Sequence, residues 1–571
     1  MHKVIASYLE TFSVHHGIES LVESERFERF VNFAVVSSFF PDQFDIDDIT
    51  TGTGDDSIDG VAVIIGDELV VSADDASSVF ARLRPRQQVP ARYIFVQAKR
   101  SESFDAGEML KLGSGVQRIL TDADGGPSDD VLKDFLKIHE VVVANLAKVE
   151  NGRSDALLFY VTTGTWHEDN GLRPQLRYVE TQLKSTGLLH SITYEPVDRE
   201  KLIRFWLMSQ APVEATFPAK NYIAFPAIEG VTEAYLAIVP ALEFVNRVLA
   251  DDEGRIRASV FDQNVRAYLG DDNRVNVKIR ASLQDKSAHD RFAVLNNGVT
   301  VVSPDVRVQS DRISVKDYQI VNGCQTSHVL FRNREALTDK VFVPVRVVEA
   351  ADPGLIARMV EATNSQSNVE ESQFLSTRPF VRQVEAYFDA FDNEEDRDRR
   401  LYFERRTRQF SGHNIARARL FDIQRLARCF ASMFLEVPHL AARYPTQTFQ
   451  ERADQLFQSD HREVSYYAAA LALYRLELSL GNQYVPRKYQ IFKWHLLLIV
   501  RYQLAGRELP GLNSGRLEKY CARIIDAFSP GGKTSATPFL EATKVIDALG
   551  NANRDRLRQQ KYTEEVKKAL A

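Results

Sequence analysis

Three residues of types that could do chemistry together stand at the ends of two apolar runs: Asp59, Gln97 and Lys99. Asp59 opens the β-branched run Gly60-Val61-Ala62-Val63-Ile64-Ile65. Gln97 and Lys99 interrupt the end of a second run, Tyr93-Ile94-Phe95-Val96, where a buried strand should carry only apolar side chains. Residues two apart on a strand point to one face, so Gln97 and Lys99 lie together. If the two strands are neighbours, Asp59 completes a small polar cluster at a sheet edge. Such a cluster either satisfies itself as a buried ion pair between Asp59 and Lys99, or acts on a charged ligand.

The Asp59-Gly60 lead-in and the Gln97-x-Lys99 spacing resemble the PD-(D/E)XK nuclease superfamily, and within it the Mrr-like restriction endonuclease branch. The resemblance implies that Asp59 and the second position hold a divalent metal, Mg2+ or Mn2+, and that Lys99 faces the scissile phosphate. It also implies a further Glu from the first helix. Phe27, Phe30, Val31, Ala34 and Val35 fall at i, i+3, i+4, i+7 and i+8, a helical stripe with Glu28 on its border. The departure from the family pattern is Gln97, where Asp or Glu is commoner. An amide oxygen still serves a hard cation but brings no charge, so Glu28 has to make up the difference. Two carboxylates about 4 Å apart repel by roughly 4 kcal/mol at an effective dielectric of about 20, so Glu28 and Asp59 belong together only with a cation or a shared proton.

The elements that must position this set follow in alternation. Phe104–Leu120 and Val131–Val149 read as helices, Ala156–Thr163 as a strand, Gln175–Lys184 as a helix and Ser191–Tyr194 as a strand. Strand and helix in turn predict an α/β sheet, a restriction-endonuclease-like domain over residues 1–210. Glu68–Ser72 reads as a hairpin-like return. After it Arg82, Arg84 and Arg86 form a basic run close to the proposed site, equally a solvated loop and a phosphate grip.

From about residue 215 isolated strands end in Asn, Gly or Gln: Leu295-Asn296-Asn297-Gly298, Ile320-Val321-Asn322-Gly323-Cys324-Gln325-Thr326 and Ala362-Thr363-Asn364-Ser365-Gln366. Such ends suit turns, caps and hydrogen-bonding clefts, so Asn297, Asn322, Gln325 and Asn364 are candidates for a polar cleft. Together these runs resemble the abortive infection phage resistance (AIPR) family over residues 215–450, which implies a role in bacterial defence against phage. Arginines crowd residues 397–428, among them Arg405, Arg406 and Arg408, with Tyr402, Phe403 and Phe410 interleaved. They read either as a sequence-independent phosphate contact or as the solvated side of helices. Residues 215–450 are expected as a mixed α+β domain and residues 451–571 as a helical region.

The 571 residues carry 71 Lys and Arg against 78 Asp and Glu, a net charge of −7, so nucleic-acid contact must come from local patches. Three scattered cysteines speak against disulfides and against a cysteine zinc site, and no run has signal-peptide or membrane-span length, so a cytoplasmic protein without a membrane partner is expected. Gly531-Gly532-Lys533-Thr534 lacks the earlier glycine and the strand of a P-loop. The leading expectation is a Mg2+-dependent endonuclease hydrolysing phosphodiester bonds, with DNA as the foremost partner. A phage-derived trigger or companion defence protein and a homo-oligomer fit the same picture. The alternatives are a non-catalytic sensor of a phage component and a ribonuclease.

Overall fold

The computed structural model describes residues 2–40, 42–52, 57–83, 87–121, 127–167, 171–210, 213–219, 221–251, 254, 256–261, 274–350, 359, 379–391, 396–405, 409–410, 415–443, 452–550 and 552–570. The chain is mixed α/β, with several small sheets and a helical C-terminal region. Helices α1 (Lys3–His16) and α2 (Glu23–Ser37) lead into strands β1 (Gly60–Ile65) and β2 (Glu68–Val70), then α3 (Ala73–Arg82), β3 (Ala91–Ala98), α4 (Ala106–Leu120), α5 (Asp130–Ala144), β4 (Ser154–Val161), α6 (Arg173–Ser185), β5 (Leu189–Val197) and α7 (Arg199–Gln210). The sheet order is β2-β1-β3-β4-β5. β1 runs antiparallel to both neighbours, and β3, β4 and β5 run parallel through helical crossovers.

Both faces of this sheet are covered, which is why β1 and β3 read as nearly continuous apolar runs. Val61, Val63, Tyr93 and Phe95 pack with α3, α4, α5 and α6, while Ala62, Ile64, Ile94 and Val96 pack with α1, α2 and α7. The register pairs Gly60 with Val96 and Ile65 with Ala91. Carried one step further, it sets Asp59 across from Gln97. Alternation then places Asp59, Gln97 and Lys99 on the α4 side. The cluster lies at the ends of two inner strands rather than at a lateral edge of the sheet. The segment from Ala73 to Arg82 is a helix, not a continuation of the return: Ser72 caps it by accepting from the Asp75 amide.

The middle region adds β6 (Glu214–Pro218), β7 (Asn221–Ala224), β8 (Glu233–Pro240), α8 (Ala241–Phe244), α9 (Arg274–Gln284), α10 (Phe292–Leu295), β9 (Val299–Ser303), β10 (Asp305–Gln309), β11 (Arg312–Lys316), β12 (Gln319–Asn322), α11 (Cys324–Arg332) and β13 (Phe342–Glu349). Its sheets are ordered β12-β9-β13-β8-β7 and β10-β11-β6 around one core. The helical core does not begin near residue 451. It already includes Phe380, Val384 and Phe388 of α12 (Pro379–Asp389), Phe403 of β14 (Tyr402–Glu404) and Phe421 of β15 (Leu420–Asp422). From there it is continuous through α13 (Ile423–Phe434), α14 (Pro438–Ala441), α15 (Glu463–Gly481), α16 (Lys493–Ala505), α17 (Arg516–Phe528), α18 (Lys533–Leu549), α19 (Arg554–Leu557) and α20 (Gln560–Ala569). Among the described residues no helix is long and apolar enough to cross a membrane, and the three cysteines are buried and unbridged.

The glycine after Asp59 has a steric cause. A Cβ at Gly60 would lie 2.3 Å from Asn32 Oδ1, and Asn32 is buried with its amide donating to the Asp59 carbonyl at 2.8 Å and to Thr50 Oγ1 at 3.1 Å. Gly60→Ala should therefore cost about 1–3 kcal/mol of stability in urea unfolding. The double variant with Asn32→Ala should be less destabilised than the sum of the single changes, since one clash is shared.

Candidate functional site

Asp59 is fixed through both backbone and side chain. Its amide donates to the Val96 carbonyl at 2.8 Å, its Oδ2 accepts from the Ala98 amide at 2.7 Å, and its carbonyl also accepts from the Thr51 amide at 3.2 Å. The carboxylate is thereby tied to the strand that carries Gln97. Burial pushes the Asp59 pKa up, against the pull of the Ala98 hydrogen bond and the Lys99 charge. Gln97 is fully buried (0% exposed), and neither its Oε1 nor its Nε2 finds a hydrogen-bond partner among the described residues. An unmet buried polar group costs roughly 1–3 kcal/mol, so an amide in this state is expected to meet a ligand or water.

Lys99 does not pair with Asp59. Its Nζ bonds Glu108 Oε2 at 2.8 Å, and the side chain keeps about one-third of its exposure (33%). Glu108 stands in the first turn of α4, where Asp105 caps the helix by accepting from the Glu108 amide at 2.9 Å. Hydrogen bonds from Lys111 and Lys99 hold the Glu108 carboxyl down at about 2. The self-satisfied pair of Asp59 and Lys99 is thus replaced by one with Glu108. Sequence reasoning missed this residue, although Asp105-x-x-Glu108 is a capping-box spacing right after the strand that ends at Lys99. Tyr160, across from Gln97 on β4, is buried beside the set, and burial raises its hydroxyl pKa to about 12.

Glu28 on α2 does turn toward this end of the sheet. Its pKa is pushed up to about 7, first by burial and then by the Asp59 charge. The Asp59 charge therefore reaches Glu28 and disfavours its ionisation. Among the described residues no group of three or more His, Cys, Asp or Glu could hold a metal. A metal here would rest on two carboxylates and the Gln97 amide, and the unbonded Oε1 of Gln97 is the feature that fits it.

The basic residues are placed otherwise. Arg82 makes two 2.8 Å bonds to Glu68 on the neighbouring return, so it is engaged with the fold rather than held out toward the strand ends. Arg405 is turned inward as well: only 6% exposed, it bonds Glu385 of α12 at 2.9 Å, and Gln409 bridges the pair by accepting from the Arg405 amide and donating to Glu385. The expected phosphate contact at Arg405 is corrected to a structural one. Its neighbours behave alike: Arg419 donates to the Arg397 and Arg400 carbonyls, Arg425 pairs with Glu477, and Arg417 covers the Phe33 ring at 4.9 Å. Arg84, Arg86, Arg406, Arg408 and Asn364 lie outside the described residues.

In the middle region two Asn-Gly turns meet. Gly298 has φ +77° and Gly323 φ +91°, and a Cβ on Gly323 would lie 2.7 Å from the Gly298 carbonyl. Asn296 accepts from Gly298 and from Thr326, and Asn276 donates to Gln325 at 2.8 Å. Gln325 in the first turn of α11 and Asn322 just before it are brought to this junction, while Asn297 faces solvent.

The AIPR protein family model matches residues 261–534, so this stretch is similar to AIPR proteins. The match runs from the middle region into α18, past the expected limit of residue 450, and the strands carrying Asp59, Gln97 and Lys99 lie outside it. No curated protein and no solved structure matches the chain.

Two predictions follow from these environments. Because the folded-state pKa of Glu28 lies above its unfolded value of 4.5, the folded protein holds that proton more tightly. Stability should fall as pH rises from about 4.5 to about 7. Glu28→Gln should remove that part of the slope, seen as urea midpoints that differ from wild type at pH 8 and converge at pH 4. Arg405→Ala, which leaves half-buried Glu385 with Gln409 but without its cation, should cost about 1–3 kcal/mol in the same assay and leave the salt dependence of nucleic-acid binding unchanged.

Proposed function

We propose that the first domain is a metal-dependent endonuclease that hydrolyses phosphodiester bonds, with DNA as the foremost substrate, and that the chain acts in phage defence by abortive infection. The observation that carries the chemistry is the fully buried Gln97 amide, unbonded at both ends and set across from Asp59 on the face that Lys99 shares. The defence role rests on the AIPR match.

Asp59, Gln97 and Glu28 would hold Mg2+ or Mn2+, which when bound would acidify a water and withdraw charge from the phosphate. The protein's own part is positional. The Ala98 amide fixes one Asp59 oxygen and leaves the other for a ligand. Glu28, with a pKa of about 7, ionises near neutrality, where its charge offsets what Gln97 lacks. Lys99 would exchange Glu108 for the phosphate and stabilise the charge that builds in the transition state. Glu108, held down at about 2, stays ionised and keeps the lysine aimed until then.

A sensor reading is favoured by one observation: the matched residues 261–534 exclude the whole first domain. One series of assays separates the two. Lys99→Ala should cut plasmid or total-RNA cleavage by about 100-fold to 1000-fold with substrate binding little changed, and phage protection should fall with it. Asp59→Ala should abolish Mg2+ binding by calorimetry, and Gln97→Glu should keep or tighten it. A stably folded Lys99→Ala protein that still protects cells fully would leave the sensor reading in place. The plasmid and RNA arms decide between deoxyribonuclease and ribonuclease.

A further inference from the structure

A cleft of about 240 Å³ separates the first domain from the helical body, and none of Asp59, Gln97, Lys99 or Glu28 lines it. One wall is the loop of Asp45, Asp47 and Asp48; the other brings Arg428, Arg487, Lys493, Arg554 and Arg558, with Arg29 added from α2. The lining thus carries six cations against three carboxylates. Lys493 pairs with Asp45, and Asp47 accepts from Arg29 and Arg487 at 2.9 Å each and from Gln490. Arg554 stands 3.7 Å from Asp48 and bonds Asp134 outside the cleft at 3.2 Å. Glu25 and Asp555, also outside it, stay 3.9 Å from Arg487 and 3.8 Å from Arg558, beyond hydrogen-bond reach.

Two guanidinium groups make no hydrogen bond to a carboxylate among the described residues. Arg428 gives its hydrogen bonds to the carbonyls of Ala441 and Arg443 and covers the Trp494 ring at 4.5 Å, and among the described residues no carboxylate lies within 4 Å of it. Burial lowers its pKa in spite of the acids further off. Arg558, 8% exposed, gives its hydrogen bond to the Ala442 carbonyl at 3.4 Å, with the Asp555 carboxylate at 3.8 Å and Asp75 and Asp134 near enough to feel its charge. A guanidinium presents five donors in a planar fork that matches phosphate oxygens, so two of them bonded only to carbonyls beside a cavity keep donors that an anion could take.

We propose that this cleft binds a small, multiply charged phosphate anion of the pyrophosphate or nucleoside-polyphosphate class. The cavity is below the roughly 300–1000 Å³ of most ligand pockets, which suits a di- or triphosphate group and not a nucleic-acid strand. The anion would compete with Asp45, Asp47 and Asp48 for their cations. That loop leads directly to Asp59: Thr50 accepts from Asn32, which holds the Asp59 carbonyl, and the Thr51 amide bonds that same carbonyl. Occupancy of the cleft therefore bears on the strand carrying Asp59, whether or not that strand cuts nucleic acid.

The test is calorimetric titration of the full chain, without divalent metal, by pyrophosphate, by ATP and by sulfate at matched ionic strength, with tryptophan fluorescence reporting on Trp494. Pyrophosphate or ATP should bind at one site and alter the fluorescence. Arg558→Gln and the rim variant Arg487→Gln, each checked for an unchanged melting profile, should weaken binding about 10-fold or more. Lys99→Ala should bind as wild type does. Binding of both phosphates assigns recognition to the phosphate groups, and binding of ATP alone adds the nucleoside. Hydrogen exchange across residues 45–52 should change on binding. No binding of either phosphate at about 1 mM, wild-type affinity in both arginine variants, or loss of binding in Lys99→Ala would overturn the assignment, and unchanged exchange across residues 45–52 would overturn the link to Asp59. Because binding is read without cleavage, its failure leaves the endonuclease reading standing, and the reverse.

Discussion

The register of β1 against β3 is the constraint on which the candidate site rests. Pairing Gly60 with Val96 leaves Asp59 facing Gln97 and gives the carboxylate an amide, that of Ala98, to accept from. A slip of one residue would turn Gln97 and Lys99 to the α2 side and bury Val96 in their place. The slip is prevented by the apolar alternation on two covered faces and by Asn32, which needs the bare backbone of Gly60 beneath it. A fully buried, unbonded amide is costly, and a sheet packed on both sides is the kind of frame that can hold one in place.

The first domain was legible because its elements obey simple periods. The helices near Phe104–Leu120 and Gln175–Lys184 and the strand near Ala156 appear within a few residues of where the apolar pattern sets them. What was not legible depends on partners distant in sequence. Nothing local to Lys99 reveals that Glu108 claims it, because the pairing needs both the turn after β3 and the cap at Asp105. The α3 helix was hidden by a short, acidic opening that resembles a loop until Ser72 is recognised as its cap. The start of the helical core at Phe380 escaped notice because α12, β14 and β15 are short and contribute only a few apolar side chains each.

The arginines teach a different lesson. A dense basic run is compatible with a phosphate-binding face, and only three-dimensional placement tells whether the charges look outward. Around residue 400 Arg397 is exposed, but Arg405, Arg417, Arg419 and Arg425 turn onto carboxylates, carbonyl groups and aromatic rings. Along the cleft at the domain boundary cations outnumber the carboxylates of the lining instead, on side chains that belong to no single basic run.

The grip on the Asp45–Asp48 loop also sets an order of events during synthesis. Lys493 lies 448 positions after its partner Asp45, and Arg554 lies later still. At about 5–20 residues per second, a ribosome needs roughly 20–90 s to travel that distance. Through that interval Arg29 on Asp47 is the counter-charge the first domain itself supplies to the acidic loop, and the contacts from Arg487, Lys493 and Arg554 are added only once the helical body has been made.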